Sequence, residues 1–392
     1  MHLRQRISNA CAEVEQTVIA HRRHLHAHPE ISFQEVQTRK YIQEQLDALE
    51  IPYVNVEGFC GVVATIRGDK PGKTIAFRAD IDALSLQEEN DLPYRSLNDG
   101  VMHACGHDGH AAVLLGLAEI FTRHRDLAAG EIRLIFQHGE ELPPGGAAEI
   151  VRQGFLKGVD AVFGLHIWTH LDLGLLGYNT GGMMACTDRF SVEVKGSGGH
   201  AGAPHRNNDA LVAGAALVMQ LQTIISRRVR PLSPAVVSVC RFHSGSAFNI
   251  IAERTAIEGT VRTTDEGARA VIREQIHRIS NGVGETYGVS CAVHYEEGYP
   301  VLVNDKQVTL QAVECIGALT DLAPTAVPPN MGGEDFAYFT QEAPGTYFFV
   351  GSRNKAAGLD KPHHNPRFNF DEAALSHAIS AFLAAYLSQQ DC

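Results

Sequence analysis

Apolar residues recur along this chain with two periods, and the order of those periods predicts the fold. Residues 8–27 carry an amphipathic helical pattern that Pro29 stops. A second helix follows Ser32-Phe33-Gln34-Glu35 and runs to about Leu49. Two strand-like runs come next, 61–66 and 74–82, the second ending in the aspartates Asp80 and Asp82. Val113, Leu114, Leu117 and Ile120 then mark a helix over about 108–124, with Asp108 where an N-cap would sit. A strand at 132–137 empties into His138-Gly139-Glu140-Glu141, a helix follows near 147–153, and a strand at 161–166 ends in His166. Strands thus alternate with helices, and polar residues gather at the carboxyl ends of the strands, where open α/β sheets bind their ligands.

The pattern changes at Thr187. Alternating residues 189–194, a helix over 209–228, two strands (235–241 and 255–262), a helix over 266–287 and a strand at 290–295 give the order β-α-β-β-α-β. That is the order of a ferredoxin-like unit. Helices and a strand in the α/β manner resume afterwards, which makes the middle segment an insertion. The expected architecture is therefore α/β: a mixed, mostly parallel sheet flanked by helices over residues 1–185 and 299–392, interrupted by an α+β domain over 186–298.

Composition narrows the chemistry. The chain of 392 residues is 44% hydrophobic and 20% charged, as expected of a globular protein of two or three folding units. No run approaches the ~18 apolar residues of a membrane span, and Met1 to Ala20 lacks the apolar stretch of a signal peptide. A formal charge of −12 argues against non-specific nucleic-acid binding. The eight cysteines show no paired spacing, which suits reduced thiols and a cytoplasmic address.

Histidine stands out with 20 copies, several of them clustered. Met102 to His110 holds His103, Cys105, His107, Asp108 and His110 around two glycines. Cys105 and His107 are close enough to converge on one ion, and thiolate with imidazole suits zinc and similar divalent metals. Adjacent carboxylates at a turn, Glu140 and Glu141, can split between metal ligation and general-base work. Together with His166 and a late histidine they supply what a two-metal hydrolase requires. The four histidines at 21, 24, 26 and 28 do not share a helix face and lie beside Arg22 and Arg23, so a structural or substrate-rim role is expected for them. Gly332-Gly333-Glu334-Asp335 reads as a turn and an N-cap.

RRHLHAHPE, FRADIDAL, MHACGHDGH, FQHGEE, GLH, KGSGGHAGAPH, MGGEDFAYF and HHNPRFNFDE occur in this order along nearly the whole chain. In these motifs it resembles the metal-dependent aminoacylase/carboxypeptidase family, in the branch of hippurate hydrolase, N-acyl-amino-acid amidohydrolases and auxin-conjugate hydrolases. The resemblance implies hydrolysis of N-acyl amino acids with two divalent ions (zinc, manganese, cobalt or nickel). It also implies a homodimer or higher homo-oligomer formed through the inserted domain, which would serve as a lid. Cys105 would bridge the metals, with His107, Glu141, His166 and His364 completing the ligand set. Glu140 would be the general base, and Asp82 the carboxylate that orients a ligand. His200 would reach across the dimer to the oxyanion, and Asn249 and Arg262 would hold the substrate carboxylate. Relatives commonly have Pro-Ala where this chain has His138-Gly139, a departure that bears on substrate preference. A dipeptidase or carboxypeptidase using the same site, and a homologue that binds metal without turnover, are the alternatives.

Overall fold

The computed structural model describes residues 2–390. The chain divides into two compact units. One comprises 1–183, 303–328 and 335–392; the other comprises 184–302 and 329–334.

The first unit is built on eight strands in the spatial order Tyr53–Asn55, Val62–Arg67, Ala129–Gln137, Lys70–Asp80, Ala161–Asp172, Gly345–Arg353, Leu175–Tyr178 and Ala323–Ala326. Three central pairings are parallel, from Ala129–Gln137 across to Gly345–Arg353, while antiparallel strands flank them. The sheet is mixed and mostly parallel, as the alternation of strand and helix predicts. Helices His2–Ala27, His107–Arg123 and Ala373–Gln389 bury Val18, Leu114, Leu117, Phe121, Ile379 and Phe382 in a core shared with Val62, Phe77 and Phe163 of the sheet. Each such fully buried side chain contributes about 1.5–3 kcal/mol relative to exposure. Close approach of the three helices depends on Gly116, where a Cβ would stand 2.4 Å from Val18 Cγ2 and 2.9 Å from Ile379 Cδ1.

Two local expectations are corrected. The strand expected to end at His166 continues to Asp172, because Ile167 and Trp168 keep pairing with Val350 and Gly351. Asp108 is not a helix cap: that position belongs to Gly106, whose left-handed φ of +94° a glycine adopts without strain.

The second unit has four antiparallel strands in the order Ala235–Ser244, Arg254–Thr263, Asp188–Lys195 and Ser290–Glu296. Helices Ala210–Arg227 and Glu266–Tyr287 pack against them around Phe190, Val192, Leu217, Leu221, Val261, Ile272 and Ile276. Both helices open on a true cap: Asp209 accepts from the N–H groups of Leu211 and Val212, and Asp265 from those of Gly267 and Ala268. Ala210–Arg227 is, among the described residues, the one helix apolar and long enough to cross a membrane by composition. It buries Ala213, Leu217, Leu221 and Ile224 in this unit's own core.

Candidate metal centre

Parallel pairing sets the ends of two central strands level. Ala79 lies opposite Phe136 and Asp80 opposite Gln137, so Asp80 and Asp82 on one side and His138 to Glu141 on the other leave the sheet together. His166 is carried by the next strand, Ala161–Asp172. Cys105 precedes the helix that opens at His107, and the backbone N–H of His364 donates to Ala104 O at 2.8 Å, which ties the late histidine loop to the cysteine loop.

Cys105, His107, Glu140, Glu141, His166 and His364 converge as a result. The donor atoms of Cys105, His107 and His166 lie within 4.8 Å of one another, and so do those of Cys105, Glu141 and His364. Cys105 belongs to both triplets. Its Sγ is 3.4 Å from His166 Nε2, and His364 Nε2 is 3.3 Å from Glu141 Oε1. Glu140 forms a third group with His107 and Glu141.

Hydrogen bonds fix which ring nitrogen faces the centre. A carbonyl oxygen can only accept, so His107 Nδ1 donates to Asp82 O at 3.0 Å and His166 Nδ1 donates to Ile167 O at 2.9 Å. The Nε2 of each imidazole is therefore turned toward Cys105, the arrangement metal-binding histidines use. Asp82 contributes beyond its carbonyl. Its Oδ1 is 3.2 Å from His107 Nδ1, and its Oδ2 accepts from Ser32 Oγ at 2.7 Å and from the N–H of Glu141 at 2.9 Å. One carboxylate thus holds two candidate ligands.

The same atoms show that a cation fits. His107 Nε2 is buried without a hydrogen-bond partner, and Glu141 Oε1 makes no well-formed hydrogen bond despite its nearness to His364. Buried polar atoms are rarely left so. Burial, with the carboxylates of Glu141, Glu140 and Asp80 nearby, pushes the Cys105 thiol well above its ordinary range. Burial works against a charged His107, but Asp80, Asp82 and Glu141 outweigh it and raise its pKa to about 10. His166 is held well below the ordinary range by burial and by His110 and His363, and stays a neutral ligand-type imidazole. The pocket has more anionic donors than local cations, and divalent ions correct that imbalance.

Arg78 escapes sequence reasoning, and Asp80, His110 and Asp335 make contacts that it does not assign. Asp80 stands 3.5 Å from His107 Nε2 and accepts from His110 Nδ1 at 2.5 Å, while His110 Nε2 accepts the Ile167 N–H at 2.9 Å. Arg78, buried in the same strand, donates to Asp80 Oδ2 and to Asp335 Oδ1, each at 2.8 Å. Asp335 is accordingly not an N-cap; it also accepts from Gln137 and from the Ala147 N–H, and the following helix begins at Ala337 without a side-chain cap. A lone arginine inside an apolar strand was the available signal. His138 stacks on Phe59 with ring centroids 4.7 Å apart, and burial lowers its pKa to about 4, so the unusual residue before the paired glutamates is a neutral ring among aromatics. Of the histidines at 21–28, His26 and its neighbour Arg22 serve a structural end, binding Asp108.

His200, Asn249 and Arg262 belong to the second unit. His200 is exposed in the short pairing with Ile250, the Asn249 carbonyl accepts from Ala201, and Arg262 is half-buried opposite Val236.

Known proteins agree with this chemistry. A Geobacillus stearothermophilus N-acyl-L-amino acid amidohydrolase is 46% identical over 301 residues, spanning 77% of this chain and 81% of that protein. Thermostable carboxypeptidase 1 of Saccharolobus solfataricus is 39% identical, covering 97% of this chain and 98% of its own length. Among solved structures, the Bacillus subtilis YXEP protein, described as a dinuclear metal binding peptidase, superposes with a TM-score of 0.85 at 34% identity. That match covers 96% of this chain and 99% of the other. The model of peptidase family M20/M25/M40 matches residues 76–388, most of the sheet and every residue of both donor triplets, and the chain belongs to that family of hydrolases.

Proposed function

We propose that this protein hydrolyses the amide bond of N-acyl amino acids, releasing a carboxylic acid and a free amino acid. The observation that carries the proposal is the pair of donor triplets sharing Cys105 beside Glu140. What two bound divalent cations (zinc, manganese, cobalt or nickel) supply there is polarisation of the acyl carbonyl and a lowered pKa for the attacking water. Glu140 takes the proton from that water and returns it to the nitrogen of the leaving amine. Asp82 keeps the Nε2 of His107 aimed inward while orienting the backbone of Glu141. Arg262 and Asn249 bind the substrate carboxylate, the guanidinium by paired hydrogen bonds. His200 donates to the oxyanion in the site of a second protomer.

A carboxypeptidase or dipeptidase reading is favoured by the Saccharolobus relative. It is separated by a substrate panel. The expected profile has higher kcat/KM on N-acetyl, N-benzoyl or indoleacetyl amino acids than on any dipeptide. Turnover of dipeptides alone transfers the assignment to a peptidase; no turnover after metal add-back favours a binding homologue.

The homodimer is supported by the second unit's surface. Its edge strand Ala235–Ser244 exposes Val236 and Phe242, and the helix Ala210–Arg227 exposes Leu211, Val212 and Met219. An uncovered apolar edge strand is what self-association protects. Mixing a His200→Ala chain with a Glu140→Gln chain is expected to restore part of the activity that each lacks alone. Failure to complement, with both chains shown to exchange subunits, assigns each site to a single chain.

A further inference from the structure

Arg22 sits on the N-terminal helix, away from any ligand in sequence, yet its side chain is wholly buried. Its guanidinium uses three nitrogens on three partners. Nε donates to Asp108 Oδ2 at 2.9 Å, Nη2 to Asn369 Oδ1 at 2.8 Å and Nη1 to Glu372 Oε1 at 3.2 Å. Phe370 and Tyr94 lie against it, with ring centroids 4.5 and 4.9 Å from its central carbon. Asp108 directly follows His107, a donor of the first triplet. Asn369 and Glu372 end the loop that carries His364, a donor of the second.

That loop needs holding. His364 has a left-handed φ of +63°, uncommon for any residue but glycine, and such a conformation persists only where its surroundings fix it. On one side the His364 N–H is bonded to Ala104 O, and Pro366 O accepts from the Glu89 N–H. On the other side is Arg22. His26 closes the circuit, with Nδ1 2.8 Å from Asp108 Oδ2 and Nε2 3.1 Å from Glu88 Oε1.

We infer that Arg22 is a positioning residue that couples the two halves of the metal centre, setting the reach of His364 from the anchor it shares with His107. The inference rests on the two-ion reading above. A planar fork is suited to this task and an ammonium is not, since lysine presents a point charge without fixed donor directions.

The test titrates metal-free full-length protein with Mn²⁺ by calorimetry, with bound metal counted by elemental analysis. His364→Ala identifies which affinity belongs to the His364 position. Arg22→Lys is expected to weaken that affinity by about 10–100-fold, the usual cost of losing a group that orients a ligand, and to leave the other unchanged. Because Arg22 substitutions strand a buried Asp108, a second variant combines Asn369→Ala with Glu372→Gln, which keeps the Arg22–Asp108 bond and cuts the far side of the fork, together with the Arg23–Glu372 pair and the Phe370 N–H bond to Asn369 Oδ1. It is expected to show the same selective loss, in a protein whose metal-free melting temperature matches wild type. Two unchanged affinities, or two that fall together, overturn the coupling role while the two-ion reading stands. A wild-type chain that takes up fewer than two ions overturns both.

Discussion

Glu140→Gln is expected to lower kcat by about 10²–10⁴-fold, the usual contribution of a positioned general acid–base group, while both cations remain bound. Glutamine keeps the size and the hydrogen-bonding reach of the side chain but neither accepts a proton from water nor delivers one to an amine. Glu140 is buried, and the turn after strand Ala129–Gln137 holds it in the group formed with His107 and Glu141. The measurement pairs steady-state kinetics with metal analysis on the same sample. Full activity with full metal content would refute the assignment; lost activity with lost metal would move Glu140 into the ligand set.

Cys105→Ala removes the one donor that both triplets contain. Activity is expected to fall by more than about 10²-fold, beyond the cost of losing a group that merely orients a ligand, with metal content below two ions per chain. Chelation of the wild-type protein is expected to abolish turnover, and divalent metal to restore it. Cys105→Asp serves as the control, since a carboxylate can also bridge two cations; recovery of metal content by aspartate but not by alanine assigns the bridging role to this position. An alanine variant that keeps two ions and wild-type kcat removes Cys105 from the centre.

Much of this was legible in one sequence. The apolar runs 74–82 and 132–137 mark strands whose ends carry Asp82, Glu140 and Glu141, and these positions meet because parallel neighbours end at the same level. The glycine-flanked Cys105 and His107 announce a loop entering a helix. What local pattern could not supply was the partner across the fold. Asp108 has the spacing of a cap, but Arg22, 86 residues earlier, takes its carboxylate. Asp335 reads as a turn residue until Arg78, 257 positions away, is found bonded to it. Strand Ala161–Asp172 outruns its apolar stretch because its neighbour Gly345–Arg353 offers further backbone to pair with. Each miss is a long-range pairing that overrides a short-range preference.

The placement of strand Gly345–Arg353 inside the sheet governs how the protein is made. It lies between Ala161–Asp172 and Leu175–Tyr178, although it is synthesised long after both. The helix Ala373–Gln389, which fills the core with Ile379 and Phe382, emerges later still. Until residues 345–353 have been made, the strands on either side lack the partner that joins them, and apolar surface of the kind chaperones guard stays uncovered. Translation must pass residue 353 before that place in the sheet is filled.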